Sequence, residues 1–207
     1  MRKVFRLAAA GLGGLLLTGV GSLAFADTEQ DADDVAVKAE ISALAAPGVL
    51  AMSVAGTEVA LTETGSHPTV VREFTGSLPV VTVTDSRDPA AIDPGAYWYV
   101  LGVASDFAET TPGSGIAPIP AAQFGWEPVI TAGDSTEVSR GVLVATSLDT
   151  PAGPGLTDGS DLLADVVGSS AAQAPGQWKA SAGLVLKTAP TVPAGSYQST
   201  LTLTLFE

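Results

Sequence analysis

The sequence contains no cysteine and a single histidine, His67. Without thiols the chain forms no disulfide bond, has no cysteine nucleophile and builds no thiolate metal site. A lone histidine before a proline and outside any motif is typical of a loop residue, not of a triad base. The nucleophile-elbow, zinc-protease, phosphate-loop and dinucleotide-binding patterns are also missing. We therefore predict a non-enzymatic protein with no catalytic residue, no metal and no cofactor.

Basic residues are scarce, and three of the nine lie in the opening "MRKVFR". An apolar, glycine-rich run over 7–23 follows, and "AFA" ends at Ala26. A basic start, an apolar middle and a small-residue end are the three parts of a secretory signal peptide. We predict removal of residues 1–26 and export of the rest. The alternative of an uncleaved membrane anchor stays open, because the run approaches membrane-spanning length.

Acidic residues dominate what remains. Residues 27–207 keep six Lys and Arg against 22 Asp and Glu, which is a formal charge of −16. Such a surface repels nucleic acid and anionic membranes, and it suits a soluble exported protein or one with cationic partners. The run "DTEQDADD" (27–34) is predicted to be a flexible leader. It lacks the glycine and the distant glutamate of a calcium loop, so a solvated leader is favoured over a calcium site.

Apolar and polar residues alternate with period two along most of the chain, which is typical of half-buried β-strands. No sustained period of 3.6 residues occurs after the leader. Together with turn signals every 8–15 residues, the alternation predicts an all-β, antiparallel β-sandwich of immunoglobulin-like or jelly-roll-like type, a single domain over 35–207. Strands are predicted at 35–44, 49–56, 58–65, in two runs broken at Gly76, and at 96–107, 123–131, around Val142 and Val144, 178–188 and 196–206.

Three finer predictions concern connections. Gly56 and Thr57 indicate a tight hairpin between 49–56 and 58–65. Strands 178–188 and 196–206 are expected to pair as a long hairpin, with the last strand central or near-central in its sheet; the alternative is a strand offered to a partner's sheet edge. The Gly-, Pro-, Ser- and Asp-rich stretch 149–177 is predicted to be a long surface loop with one short helix at 160–167.

Aromatic residues are few, and five of them are the candidate ligand contacts: Trp98, Trp126, Trp178, Tyr97 and Tyr99. The alternation places both tyrosines on one face of their strand and Trp98 on the other. Two interpretations of the tryptophans stay open, core packing or flat platforms that stack on sugar rings.

Four carboxylates, Asp85, Asp88, Asp93 and Asp106, lie within 22 residues. A pair of carboxylates across a cleft could hydrolyse a glycoside, so a secreted hydrolase is one alternative. The segment "TDSRD" favours a structural role, in which Asp85 and Asp88 flank Arg87 and cap a turn at a strand end.

Two regions, "LPVVTVTDSRD…GAYWYVLGVASDF" and "AGSYQSTLTLTLFE", resemble the WxL-domain cell-surface proteins of Gram-positive bacteria, closest to their actinobacterial relatives. Asp85, Arg87 and Trp98 match the family's first region; Gly195, Tyr197 and the strand 201–205 match the second. The segment "FGWEP" is similar to the family's "LGW-x-P". The resemblance covers about 35–207, but Leu203-Thr204-Leu205 stands where the family has a second tryptophan.

The resemblance implies a secreted protein that is attached without covalent bonds to the cell wall or cell surface. Peptidoglycan or another wall polymer is the implied partner, and Asp85, Arg87 and Tyr197 are the implied structural motif. The alternative that stays open is a structural or adhesin-type subunit that binds another surface protein.

Overall fold

The computed structural model describes residues 48–67 and 69–207, which belong to one compact unit. The predicted signal peptide, the acidic leader 27–34 and the predicted strand 35–44 lie outside the described residues. Twelve strands are present in the described part: β1 (Leu50–Val54), β2 (Thr62–His67), β3 (Val71–Ser77), β4 (Val81–Asp85), β5 (Tyr99–Ala104), β6 (Ala108–Glu109), β7 (Phe124–Ala132), β8 (Val138–Arg140), β9 (Ser160–Asp165), β10 (Gly176–Thr188), β11 (Tyr197–Gln198) and β12 (Leu201–Phe206).

Within residues 48–67 and 69–207, helical structure is limited to short turns. Two 3-10 turns, Pro89–Ala91 and Ala121–Gln123, and the four-residue helix α1 (Ser170–Gln173) connect strands. Across the described ranges, no helix has the length and apolar character needed to cross a membrane.

The larger sheet has six strands around β10, its long central strand. One side of β10 pairs with β4 and, further along, with β3; its other side pairs with β7. Strand β1 adds to β4 and β2 adds to β3, so both are edge strands. All these pairings are antiparallel. The alternation along β10 is nearly complete, because Trp178, Ala180, Ala182, Leu184 and Leu186 all face inward.

The smaller sheet has four antiparallel strands in the order β12-β5-β9-β8, and β6 pairs with β11 as a separate two-stranded ribbon. Both sheets contribute to one core. The larger sheet supplies Val81, Val83, Trp126, Trp178 and Leu184, and the smaller sheet supplies Val100, Val138, Leu162 and Leu163. The predicted all-β sandwich architecture is confirmed.

Two predicted hairpins are wrong. Strand β1 pairs with β4 rather than with β2, and β2 pairs with β3. Strand β12 pairs with β5, not with β10, and it is an edge strand of its sheet rather than a central one. For β1 and β12 the alternation identified the strand and its more buried face, whereas the strand predicted at 58–65 lies at Thr62–His67 and is mostly exposed. The alternation could not identify the neighbour, because period two carries no information about pairing.

The stretch 149–177 is not one surface loop, and the helix predicted at 160–167 is a strand. Strand β9 occupies 160–165 in the interior of the smaller sheet, between β5 and β8. Leu162 and Leu163 are both fully buried, because β9 bulges here: Leu163 pairs with Val100 and Asp161 with Leu101, which leaves Leu162 as the extra residue. The strand predicted around Val142 and Val144 is also displaced: β8 ends at Arg140, and only an isolated bridge joins Val144 to Trp126.

Candidate functional site

All three tryptophans belong to the core. Trp98 is 0% exposed, and Trp126 and Trp178 are each 1% exposed. The rings of Trp98 and Trp178 pack at 5.3 Å between centroids. Of the two interpretations of these residues, core packing is therefore correct, because a buried indole presents no face on which a sugar ring could stack.

Two of the indole N–H groups are bonded inside the protein. Trp98 Nε1 donates to Gln173 Oε1 at 2.9 Å, and Trp178 Nε1 donates to Glu137 Oε2 at 3.1 Å. Gln173 Nε2 in turn donates to Asp165 Oδ1, and partial burial raises the pKa of that carboxyl. Buried polar atoms that are paired in this way fix the rings in one orientation.

The predicted structural motif lies where β4 meets the loop to β5. Arg87 Nη2 contacts Asp85 Oδ2 at 2.6 Å, and Arg87 Nη1 contacts Glu207 Oε1 at 2.6 Å. The hydrogen bonds that Arg87 donates to Asp85 raise the pKa of the guanidinium, so the cation is retained. Asp88 caps the following 3-10 turn by accepting from Ala90 N at 2.9 Å. The expectation that these residues shape a turn is confirmed, and the arginine also ties the end of β12 to β4.

Asp106 and Tyr197 also make hydrogen bonds within the protein. Asp106 accepts from Ala121 N at 2.8 Å, and the Tyr197 hydroxyl donates to Pro193 O at 2.9 Å, across the turn before β11. Within residues 48–67 and 69–207, no group of three or more His, Cys, Asp or Glu side chains is placed to hold a metal ion.

An aromatic ladder on the outer face of the smaller sheet, defined by Tyr97, Tyr99 and Phe206, is the exposed aromatic feature of this face. Tyr97 stacks on Tyr99 at 6.1 Å between centroids with planes 24° apart. Tyr99 stacks on Phe206 at 5.1 Å with planes 17° apart. Tyr97 is 55% exposed and Phe206 39% exposed. Tyr99 stacks on both of the other rings and is half-buried, whereas Tyr97 and Phe206 are exposed.

The sheet register extends the ladder into a row across four strands. Phe206 pairs with Tyr99, Tyr99 with Ala164, and Ala164 with Ser139. The row thus changes from two large aromatic side chains to two small ones. A shallow groove of about 510 Å³ opens at the small end. This outer groove is lined by Leu101, Ser139, Arg140, Gly141, Val142, Gly159, Ser160, Asp161 and Ala164.

Asp161 is the acidic side chain of the outer groove. It pairs across the sheet with Leu101, whose side chain lies on the same outer face. Partial burial raises the pKa of its carboxyl above the ordinary aspartate value. Arg140, at the other side of the groove, donates from Nη1 to Pro128 O at 3.1 Å. Gly159 has φ +90°, and its missing Cβ would lie 2.9 Å from Leu101 Cδ2, so the backbone approaches the floor closely here.

The predicted pair Tyr97 and Tyr99 therefore lies on the face that carries the candidate site, away from the three tryptophans. Sequence reasoning missed Phe206, Ser139 and Asp161. Phe206 could have been found, because it follows Thr202 and Thr204 on the polar face of β12 and is the one large apolar residue there. Asp161 could not, since the stretch around it was interpreted as a loop and helix.

Comparison with known proteins returns no match: no protein-family model, no curated protein and no solved structure is similar to this chain.

Proposed function

We propose that this chain is a secreted, non-catalytic surface protein that associates without covalent bonds with a cell-wall polymer, peptidoglycan in the first place. Its contact surface is the outer face of the smaller sheet. The observation that carries the proposal is the aromatic ladder, since stacked aromatic rings exposed on the outer face of a sheet are a costly arrangement unless something covers them. The resemblance to WxL-domain proteins supplies the class of ligand.

Electrostatics and sequence support this function. A chain of formal charge −13 gains little from anionic partners such as nucleic acid, whereas a polymer of sugars and short peptides offers hydroxyl and amide groups. The signal-peptide pattern at 1–26 is what an exported protein requires. A wall-bound protein has no need of a cofactor, and the candidate surface offers stacking and hydrogen bonding instead.

Co-sedimentation with purified, protein-free peptidoglycan sacculi tests the proposal. We expect the purified chain 27–207 to pellet with sacculi, and a Tyr97→Ala/Phe206→Ala double variant to remain in the supernatant. Both side chains are substantially exposed, so their removal should leave the fold intact.

Val70→Ala is the matched control, because Val70 is 67% exposed and lies in the β2–β3 turn, outside the proposed surface. It should pellet like the unmodified protein. Failure of the unmodified protein to pellet at moderate salt would rule out peptidoglycan. If the double variant pellets as much as the unmodified protein does, the aromatic ladder is not the contact surface.

A second candidate function is a structural or adhesin-type subunit that pairs with another surface protein. The open edge of β12 favours it. Ala104 lies opposite Leu201 on β12, but its N–H donates to Leu156 O, on the side away from β12. Residues of such a pair do not bond to each other, so the backbone N–H and C=O of Leu201 point towards the outer edge of the sheet. No strand of the described residues pairs there. Strand β12 lacks charged residues, proline and bulges, the usual protections of an edge.

The same sedimentation experiment separates the two candidates. Binding to protein-free sacculi supports the polymer. Binding that requires sacculi with their surface proteins still attached, and that persists in the Tyr97→Ala/Phe206→Ala variant, supports a protein partner.

A further inference from the structure

The outer groove and the aromatic ladder form one continuous surface. The row Phe206, Tyr99, Ala164 and Ser139 crosses the sheet from β12 to β8. With strands spaced by about 4.8 Å, the row spans about 14 Å, longer than a single sugar ring. Beside this row, the outer groove adds a shallow, open volume of about 510 Å³.

The groove combines an apolar floor with free polar groups. Leu101 and Ala164 form part of the floor. In the part of the chain that the structure describes, the side chains of Ser139, Ser160 and Asp161 make no hydrogen bond to protein, although many other surface hydroxyls and carboxylates are bonded to a neighbour. An apolar floor next to unengaged acceptors and donors matches a sugar ring, which has apolar C–H faces and hydroxyls at its rim.

Charge narrows the class of ligand. Asp161 places a carboxylate at the groove, and the whole chain carries a formal charge of −13. The guanidinium of Arg140 is engaged by Pro128 O and lies 3.8 Å from Glu127 Oε1, so it is partly neutralised. A phosphate or carboxylate group would be repelled at this groove, whereas an uncharged sugar unit would not.

We propose that the outer groove, together with the aromatic ladder, binds an uncharged oligosaccharide, and that the Asp161 carboxylate accepts hydrogen bonds from its hydroxyl groups. This rests on the proposed wall association and names the part of the polymer that is recognised: the glycan chain rather than its peptides or any anionic attachment. The ladder stacks on one sugar, and the groove holds the next.

Titration calorimetry with a soluble hexamer of β-1,4-linked N-acetylglucosamine tests the assignment, because this probe contains glycan without peptide or charge. We expect saturable binding by the unmodified chain. Asp161→Asn should weaken it about ten-fold, the effect of losing one hydrogen bond to a charged group. Asp158→Asn is the matched control, since Asp158 lies three residues away and does not line the groove; it should bind like the unmodified protein.

The outcomes separate this inference from the function on which it rests. Saturable hexamer binding that Asp161→Asn weakens and Asp158→Asn preserves supports both. Pelleting with sacculi without hexamer binding overturns the glycan assignment and leaves wall association standing. Hexamer binding that Asp161→Asn does not change, or tighter binding of a polyphosphate of similar length, overturns the role given to Asp161 and to charge. Loss of both hexamer and sacculus binding by the unmodified chain removes the proposed function as well.

Discussion

The two sheets pack closely at Gly102, in the middle of β5. A Cβ atom added there would lie 2.4 Å from Cη2 and 2.8 Å from Cζ3 of Trp126, and 3.3 Å from Leu203 Cδ2. Trp126 is 1% exposed, so its ring has no free space into which it can retreat. We predict that Gly102→Ala destabilises the protein by overpacking the core.

The magnitude follows from typical costs of overpacking. An extra methyl group in a well-packed core costs about 1–3 kcal/mol. For a domain of this size, each kcal/mol lowers the Tm by about 2–4 °C, so a fall of about 2–12 °C is expected. Gly183→Ala is a matched control in β10, because a Cβ there meets nothing within 4 Å. Alanine loses less conformational freedom on folding than glycine does. The Gly183→Ala variant should therefore be as stable as the unmodified protein, or more stable by up to about 0.5–1 kcal/mol.

Urea unfolding and thermal melts followed by circular dichroism would measure both variants. If Gly102→Ala is as stable as Gly183→Ala, Trp126 does not pack against Gly102 as closely as described above, and the predicted overpacking is refuted. A double variant sharpens the test. Trp126→Phe removes the two contacting ring atoms, so it should make Gly102→Ala less costly than it is beside the tryptophan, with a coupling of about 0.5–3 kcal/mol. Strict additivity of the two changes would contradict the contact.

Two further predictions concern charge. Arg87→Met leaves Asp85, whose side chain is 0% exposed, without its cation, and we expect a loss of about 3–5 kcal/mol in urea unfolding; an unchanged midpoint would contradict the buried pair. The ion pair with Arg72 and the hydrogen bond from Ser66 lower the pKa of Glu63 to about 2. Because the folded pKa is depressed, this contribution is present above the ordinary value of 4.5 and is lost as the pH falls towards 2. The stability difference between the unmodified protein and Glu63→Gln should shrink over that interval, and a constant difference would count against the pair.

Arg140→Met is the control for Arg87→Met, because it also removes one arginine cation. Its contact with Glu127 measures 3.8 Å, and both side chains are more than half exposed. Exposed pairs of this kind contribute little, so this variant should unfold close to the unmodified midpoint.

Strand positions were predictable wherever one face is buried and the other is not. The alternation along β10, β5 and β12 identified these strands and their inward residues, because burial on one side of a pleated chain imposes period two. The pairings were not predictable in the same way. The linker between β10 and β12 is long enough to cross from one sheet to the other, and the sequence does not mark the crossing.

Strand β9 shows where the pattern itself fails. The bulge opposite Val100 and Leu101 places Leu162 and Leu163 side by side in the core, so two consecutive residues are buried and the alternation breaks. Ser160 and Asp161 come just before the two leucines and resemble the N-cap of a helix. This local pattern therefore favours a helix where the bulged strand β9 is found. The groove beside Asp161 was missed for the same reason. The tyrosines on the outer face were found, because Tyr97 and Tyr99 keep the alternation around Trp98.

The distribution of aromatic residues also decides how the protein can be observed. Its three tryptophans are all within 1% of complete burial, while Tyr97 and Tyr99 lie on the outer face. Tryptophan emission should therefore be blue-shifted, protected from soluble quenchers and sensitive to unfolding. A molecule that docks on the outer face should leave that emission almost unchanged and alter the tyrosine signal instead. Folding and binding can thus be followed in the same sample through two different fluorophores, without an added dye.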